Sequence, residues 1–204
     1  LSGGLEFLQG FYFQASNITE LNGTDPAVAT AVVDGAVDYY EQADPRSARA
    51  SFNLFKSKNE FGQPLDANEV EWDAQYANSG DLGFGRDMHC RRNVASDGAF
   101  DIACYVTNFG QPPIFEVDQI DADHALAGLN PDATVAMEWS RVENAPGDPI
   151  EFPDNNRAVK FYVYNTNDPT GPTIKNADLD GFGERPVPQL CVICHGGQVA
   201  GEPA

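Results

Sequence analysis

Apolar and polar side chains alternate most regularly in the second half of the chain, where they predict β-strands. Three segments show this pattern: Phe100–Phe109, Thr134–Val142 and Ala158–Tyr164. Strict alternation places the apolar side chains of a strand on one face of a sheet. Met137 lies on the apolar face of the second segment, between Val135 and Trp139, so we expect it in the core. The connection from 143 to 157 is rich in proline and aspartate, which suits a long hairpin loop.

Apolar residues at helical spacing are concentrated in the first half of the chain. An aspartate followed by a proline is typical of a helix start, and the apolar positions after it predict a helix over Pro26–Gln42. A shorter helix over Asp66–Tyr76 would direct Val70 and Trp72 inward. The remaining predicted elements are an aromatic strand at Leu5–Ala15 and a short helix at Val117–Leu129 that carries His124.

These elements together predict an α+β fold with an antiparallel sheet, one or two helices and much irregular loop structure. The chain has 204 residues, which suits one ordinary domain, and neither a repeat nor a shift in composition marks a boundary. We therefore expect a single domain over residues 1–204. The alternative is that the chain is the processed N-terminal part of a longer protein.

The charge balance of the chain restricts its partners. It has 31 acidic residues against 12 basic ones and a formal net charge of −19. Such a surface would be repelled by the phosphates of nucleic acid. It favours either a partner protein with a basic surface or simple solubility at high ionic strength. No apolar run approaches the ~18 residues of a membrane span, and the start of the chain shows no signal peptide.

The segment Cys191-Val192-Ile193-Cys194-His195 is the most specific motif of the chain. Two cysteines two residues apart, followed at once by histidine, resemble the haem-attachment motif of the c-type cytochromes. A thioredoxin-like redox pair, half of a zinc site and a chance spacing are the alternatives. The prolines that precede Cys191 do not suit a redox pair, and the sequence contains no second Cys-x-x-Cys for a zinc site.

The resemblance to c-type cytochromes implies a cofactor and a compartment. Cys191 and Cys194 would each bind one vinyl group of a covalent haem c, and His195 would be the fixed ligand of its iron. Haem is attached outside the bacterial cytoplasm, so the protein would be periplasmic or extracellular. The resemblance is limited to the motif and the two glycines after it, and the loops after Asn165 would surround the haem on an unrelated scaffold.

A second iron ligand from the same chain would have to lie upstream of the motif, because neither His nor Met follows His195. The candidates are Met88, His89, His124 and Met137. We expect His89, because it follows a glycine-rich segment that can approach a flat ring closely. Met88 and His124 remain alternatives, whereas Met137 is better explained as a core residue. In an extended segment Met88 and His89 would point to opposite sides.

Arginine side chains are the candidates to bind the carboxylates of the haem propionates, because guanidinium groups match carboxylates. Arg185 stands six residues before Cys191, and Arg86 or Arg91 lie next to the predicted ligand. Surface salt bridges are an equally good explanation for these arginines.

Cys90 and Cys104 remain after the two haem cysteines are assigned. In an exported protein they are expected to form a disulfide that closes a loop of about 15 residues. The alternative is two buried thiols.

A weaker motif lies just before the haem motif. The segment 176–184 resembles the first nine positions of a calcium loop, with oxygen ligands at alternate positions, a glycine at the turn and the Phe182 carbonyl between them. Its candidate ligands are Asn176, Asp178, Asp180 and Glu184. Val187 stands where the twelfth-position acid would be, so an Asp/Gly-rich turn without calcium is the preferred interpretation.

Electron transfer by an exported monohaem cytochrome is the function that these residues favour, and nothing else in the sequence requires catalysis. A haem enzyme of the peroxidase, oxygenase or reductase type, with His89 or Arg86 at an open distal site, is the alternative. A structural or assembly subunit that carries haem is a third. The sequence does not predict the oligomeric state.

Overall fold

The structure is a computed structural model that describes residues 40–41, 43–77, 85–110, 119–143, 146, 157–177 and 185–187. Two helices and seven strands lie wholly within these ranges. The helices are α1 (Phe52–Lys58) and α2 (Gln119–Ala127). The strands are β1 (Val70–Ala77), β2 (Gly85–Val94), β3 (Phe100–Phe109), β4 (Pro131–Arg141), β5 (Arg157–Asn165), β6 (Asn176–Ala177) and β7 (Arg185–Pro186).

Strands β1 to β5 form one antiparallel sheet in which each strand pairs with its neighbour in sequence. The three strands that the alternating pattern predicts are confirmed as β3, β4 and β5, and the helix bearing His124 is confirmed as α2. An antiparallel sheet with few helices agrees with the predicted α+β class. The strand predicted at Leu5–Ala15 and most of the helix predicted at Pro26–Gln42 lie outside the described residues, although Tyr40 and Glu41 are helical.

The helix predicted over Asp66–Tyr76 is wrong, because this segment contributes β1 to the edge of the sheet. Its apolar residues recur at every second position, from Val70 through Trp72 to Tyr76, which is the period of a strand. The side chains of Val70 and Trp72 are also exposed rather than directed into the core.

The sheet buries one of its faces beneath α1, and we call this the α1 face. Ser51 caps the helix by accepting a hydrogen bond from Leu54 N, and Phe52 and Phe55 point inward from its first turns. The Phe52 ring meets Tyr105 edge-on, with centroids 5.0 Å apart. The buried residues of this core are Phe52, Phe55, Ala103, Ala136, Tyr162 and Tyr164.

A buried network of charges continues the α1 face along β4. The Glu138 carboxylate lies 2.7 Å from Arg49 Nε, in a close ion pair without hydrogen-bond geometry, and 3.3 Å from Lys160 Nζ. It also accepts hydrogen bonds from Ser140 Oγ at 2.6 Å and Asn59 Nδ2 at 3.0 Å. Every polar neighbour of this carboxylate therefore stabilises its charged form.

The charges in this network are matched closely enough to keep Glu138 ionised. Burial by itself would raise the pKa of Glu138, but the attraction of Arg49 and Lys160 outweighs it and lowers the pKa to about 2. Arg49 is itself held by Asp44 and Glu143 at 3.1 and 3.2 Å. The network thus joins the chain before α1 to the centre of the sheet.

The opposite face of the sheet, which we call the apolar face, carries Met137, the residue expected in the core. Met137 is partly buried and packs against the core cluster of Phe161, Val163 and Val187, as expected, whereas Trp139 is exposed. The fully buried side chains of β4 are Thr134, Ala136, Glu138 and Ser140 on the α1 face. The alternation of β4 was therefore predicted correctly, but the more deeply buried side of the strand is its polar side.

Candidate functional site

The last described residue before the Cys-x-x-Cys-His segment lies on the apolar face. Cys191, Cys194 and His195 lie outside the described residues, and Val187 is the last described residue before them. The Val187 side chain is fully buried in a cluster with Phe161 and Val163, two residues of β5 that point to the apolar face. Its backbone N–H donates to the Lys175 carbonyl at 2.9 Å. The chain is thus fixed on this face four residues before Cys191.

A continuous group of large apolar side chains lies exposed on the same face, beside the Val187 cluster. We call it the apolar patch, and its members are Val70, Trp72, Val94, Phe100, Ile102, Trp139 and Val159. Each of them is 38% to 45% exposed. One row of direct cross-strand neighbours crosses all five strands. From β1 to β5 it contains Val70, Arg92, Ile102, Trp139 and Val159. The patch includes both tryptophans of the chain.

The row next to the patch contains the disulfide. Cys90 on β2 and Cys104 on β3 are direct cross-strand partners and are joined by an S–S bond. The predicted disulfide is thus confirmed. Met137 and Phe161 continue this row across β4 and β5.

Removal of the disulfide is expected to destabilise the protein. A Cys90→Ala/Cys104→Ala variant should lose about 3 kcal/mol of unfolding free energy, because the bond restricts a loop of the unfolded chain. Urea unfolding with and without dithiothreitol measures this loss. Reductant should lower the midpoint of the natural chain to that of the variant and leave the variant unaffected; an unchanged midpoint for the natural chain would contradict the expectation.

The two strongest candidates for the second iron ligand lie on opposite faces of the sheet. Met88 is on the apolar face, in register with Val106, whereas His89 is on the α1 face, in register with Tyr105. The His89 ring stacks on Tyr105 with centroids 4.8 Å apart, and its Nε2 lies 3.1 Å from Asp87 Oδ2. Ligation by His89 stays a prediction, and it would require iron on the face opposite to Val187.

The arginines also differ in their surroundings. Arg91 is fully buried and donates to Glu71 at 2.9 Å and to Glu69 at 3.0 Å, so it fixes the chain before β1 against β2. Arg86 lies on the apolar face in register with Tyr76. Arg92, which the sequence did not single out, lies between Val70 and Ile102 in the patch row and stacks on the Phe100 ring at 4.6 Å. Arg185 is in β7, and its role stays a prediction.

His124 lies on α2, which contacts β1, β2 and β3. Its role as an iron ligand stays a prediction. Asn176 begins β6, and its Oδ1 atom is buried without a hydrogen-bond partner among the described atoms. This is the first position of the predicted calcium loop, and an unpaired oxygen there is compatible with a cation. Asp178, Asp180 and Glu184 lie outside the described residues, so calcium binding stays a prediction.

The described ranges contain neither a grouped set of metal ligands nor a membrane-spanning helix. Within the parts of the chain that the structure describes, no three His, Cys, Asp or Glu side chains are grouped as metal ligands. In those same parts, no helix has both the length and the apolar character needed to cross a bilayer.

The apolar patch is the main feature that sequence reasoning missed. The sequence contained part of the signal, because Val70, Trp72 and Tyr76 alternate with acidic and amide residues as in a strand. This alternation was overlooked because the segment was interpreted as a helix. The patch also depends on the register between strands, which places Trp139 beside Ile102 and Val159.

Comparison with known proteins adds no relative from which a function could be inferred. No family model matches the chain, and no curated protein or solved structure shows significant similarity to it.

Proposed function

We propose that this protein is an exported monohaem c-type cytochrome that transfers electrons through a haem bound covalently to Cys191 and Cys194, with His195 as an axial ligand. The observation that carries the proposal is the complete Cys-x-x-Cys-His spacing. The Cys90–Cys104 disulfide supports it independently, because structural disulfides are characteristic of oxidising compartments outside the cytoplasm.

The described residues are compatible with a haem group. Haem is a flat apolar ring with two carboxylates, and it needs an apolar wall that keeps water from its ring. The apolar patch would supply such a wall, and Val187, the last described residue before the motif, packs on the same face. Arg92 adds a guanidinium group between Val70 and Ile102, where a carboxylate could be bound.

The residues of the chain would have separate tasks in electron transfer. Bound haem supplies one-electron chemistry between Fe(III) and Fe(II). The Cys191 and Cys194 thiols would hold it covalently, and the His195 imidazole would bind its iron. The net charge of −19 would attract an electron-transfer partner with a basic surface, at a rate that falls as ionic strength increases.

Intact mass spectrometry and absorption spectroscopy of the protein, produced in a host that matures c-type cytochromes, test the proposal. We expect a mass that exceeds that of the polypeptide with one disulfide, Cys90–Cys104, by one haem. We also expect a low-spin spectrum in both oxidation states of the iron. A mass equal to the bare polypeptide would end the proposal. A covalent haem with a high-spin spectrum that binds carbon monoxide would instead favour the haem enzyme.

A further inference from the structure

The apolar patch needs a covering group, because seven large apolar side chains on one sheet face are more than a soluble surface normally exposes together. Its members come from all five strands and lie in neighbouring rows, so the patch extends across the sheet rather than along one strand. A broad apolar surface suits a large planar apolar group better than it suits a single side chain.

The position of Val187 limits where Cys191 can lie. Cys191 is the fourth residue after Val187, so the Cα atoms of the two residues are at most about 14 Å apart. Val187 is packed on Phe161, and Val159 of the patch lies two residues farther along β5, a displacement of about 7 Å. Trp139 is the direct neighbour of Val159 on the next strand, about 5 Å away. Cys191 is therefore within reach of the patch.

We infer that Ile102, Trp139 and their neighbours in the apolar patch form one wall of the haem site, a conclusion that rests on the proposed function. The occupant is the haem of this same chain. Val187, four residues before Cys191, packs on the apolar face, and the row from Val70 to Val159 crosses four strand spacings, about 19 Å. Arg92, within this row, provides a cation for a propionate.

The sheet then separates the candidate iron ligands. Haem on the apolar face would lie on the same side of the sheet as Met88 and Met137, the two methionines of the chain, and Met137 is packed against the Val187 cluster. The His89 ring is on the other side of the sheet, against Tyr105. A His89→Ala variant should therefore keep the low-spin spectrum of the natural protein.

Hydroxyl-radical footprinting read by mass spectrometry tests the location of the haem directly. The haem-loaded protein is compared with a haem-free Cys191→Ser/Cys194→Ser variant whose fold is verified by circular dichroism. We expect Trp72, Phe100 and Trp139 to be oxidised several-fold more slowly in the loaded protein. Leu54 and Leu65 are the matched controls, since they are equally exposed but lie outside the patch, and their oxidation rates should be the same in both proteins.

The possible outcomes are distinct. Patch residues that are oxidised equally fast in both proteins would place the haem elsewhere and overturn the inference. Patch residues that are equally protected in both proteins would mean that another occupant covers them, and this would overturn the inference. Protection that depends on protein concentration would indicate a second copy of the chain. Protection independent of concentration would indicate residues 1–39. A high-spin His89→Ala protein would place iron on the α1 face and also overturn the inference. Failure of the proposed function is separate, because the protein would then carry no haem at all.

Discussion

Replacing Glu138 with glutamine is expected to cost about 3–5 kcal/mol of unfolding free energy, because it removes one partner of a buried ion network. Arg49 and Lys160 would then keep their charges in a buried site without the carboxylate that lies between them. Glutamine has nearly the same size, so the loss would come from charge rather than from a cavity. Urea unfolding at neutral pH measures the effect.

The pH dependence of stability provides a second test of Glu138. Its pKa is about 2 in the folded protein, below the ordinary value of 4.5, so its contribution is complete at neutral pH and disappears as the pH falls from about 4.5 to about 2. The size of that contribution is about 3 kcal/mol. The Glu138→Gln variant should therefore lose less stability than the natural protein within this acidic window.

Asp73→Asn is the matched control, because it also removes one carboxylate but at an exposed position of β1. Its effect should stay within about 0.5 kcal/mol. Equal effects of the two variants would mean that overall charge, and not the buried network, determines the stability. A stable Glu138→Gln protein would show that Arg49 is sufficiently neutralised by Asp44 and Glu143.

Replacing both Cys191 and Cys194 with serine should abolish covalent haem completely, since the two thiols are the proposed attachment points. Either single replacement should leave one thioether and weaker attachment. Haem staining after denaturing electrophoresis and intact mass measure the result. The five strands of the main sheet lie upstream of the motif, between Val70 and Asn165, so the far-ultraviolet circular dichroism of the double variant should retain its β signal.

The Cys90→Ala/Cys104→Ala protein is the control for this experiment, because it lacks the same number of cysteines but keeps the motif. We expect it to retain one covalent haem despite its lower stability. Haem that persists in the Cys191→Ser/Cys194→Ser protein would exclude attachment through the motif. Loss of haem from both variants would point to a general failure of maturation.

The sheet could be predicted from the sequence where alternation is local and uninterrupted, as in β3 and β5. Helix α1 was missed because it has only seven residues and just two inward aromatic side chains, Phe52 and Phe55. The buried side of β4 could not be predicted, because Glu138 is buried only with Arg49 and Lys160, which come from other parts of the chain. Pairing over such distances leaves no local pattern.

The candidate site was predictable in its chemistry but not in its location. The spacing of Cys191, Cys194 and His195 is a property of five consecutive residues, so the sequence alone indicates haem. The choice between Met88 and His89 is different, because adjacent strand residues point to opposite faces. Only the packing of Val187 on β5 shows that the described chain lies on the Met88 face just before the motif.

The order of strands in the sheet has a consequence for the rate of folding. Every pairing in the main sheet joins sequence neighbours, so the sheet has low contact order for a β-structure and its hairpins can form early. Contacts of α1 and the chain before it close much longer loops; the Tyr164 hydroxyl, for example, donates to the Arg49 carbonyl across 115 residues. Loop-closure entropy delays such contacts. The five-stranded sheet should therefore form before α1 packs on it. The buried ion network should be among the last native interactions to form.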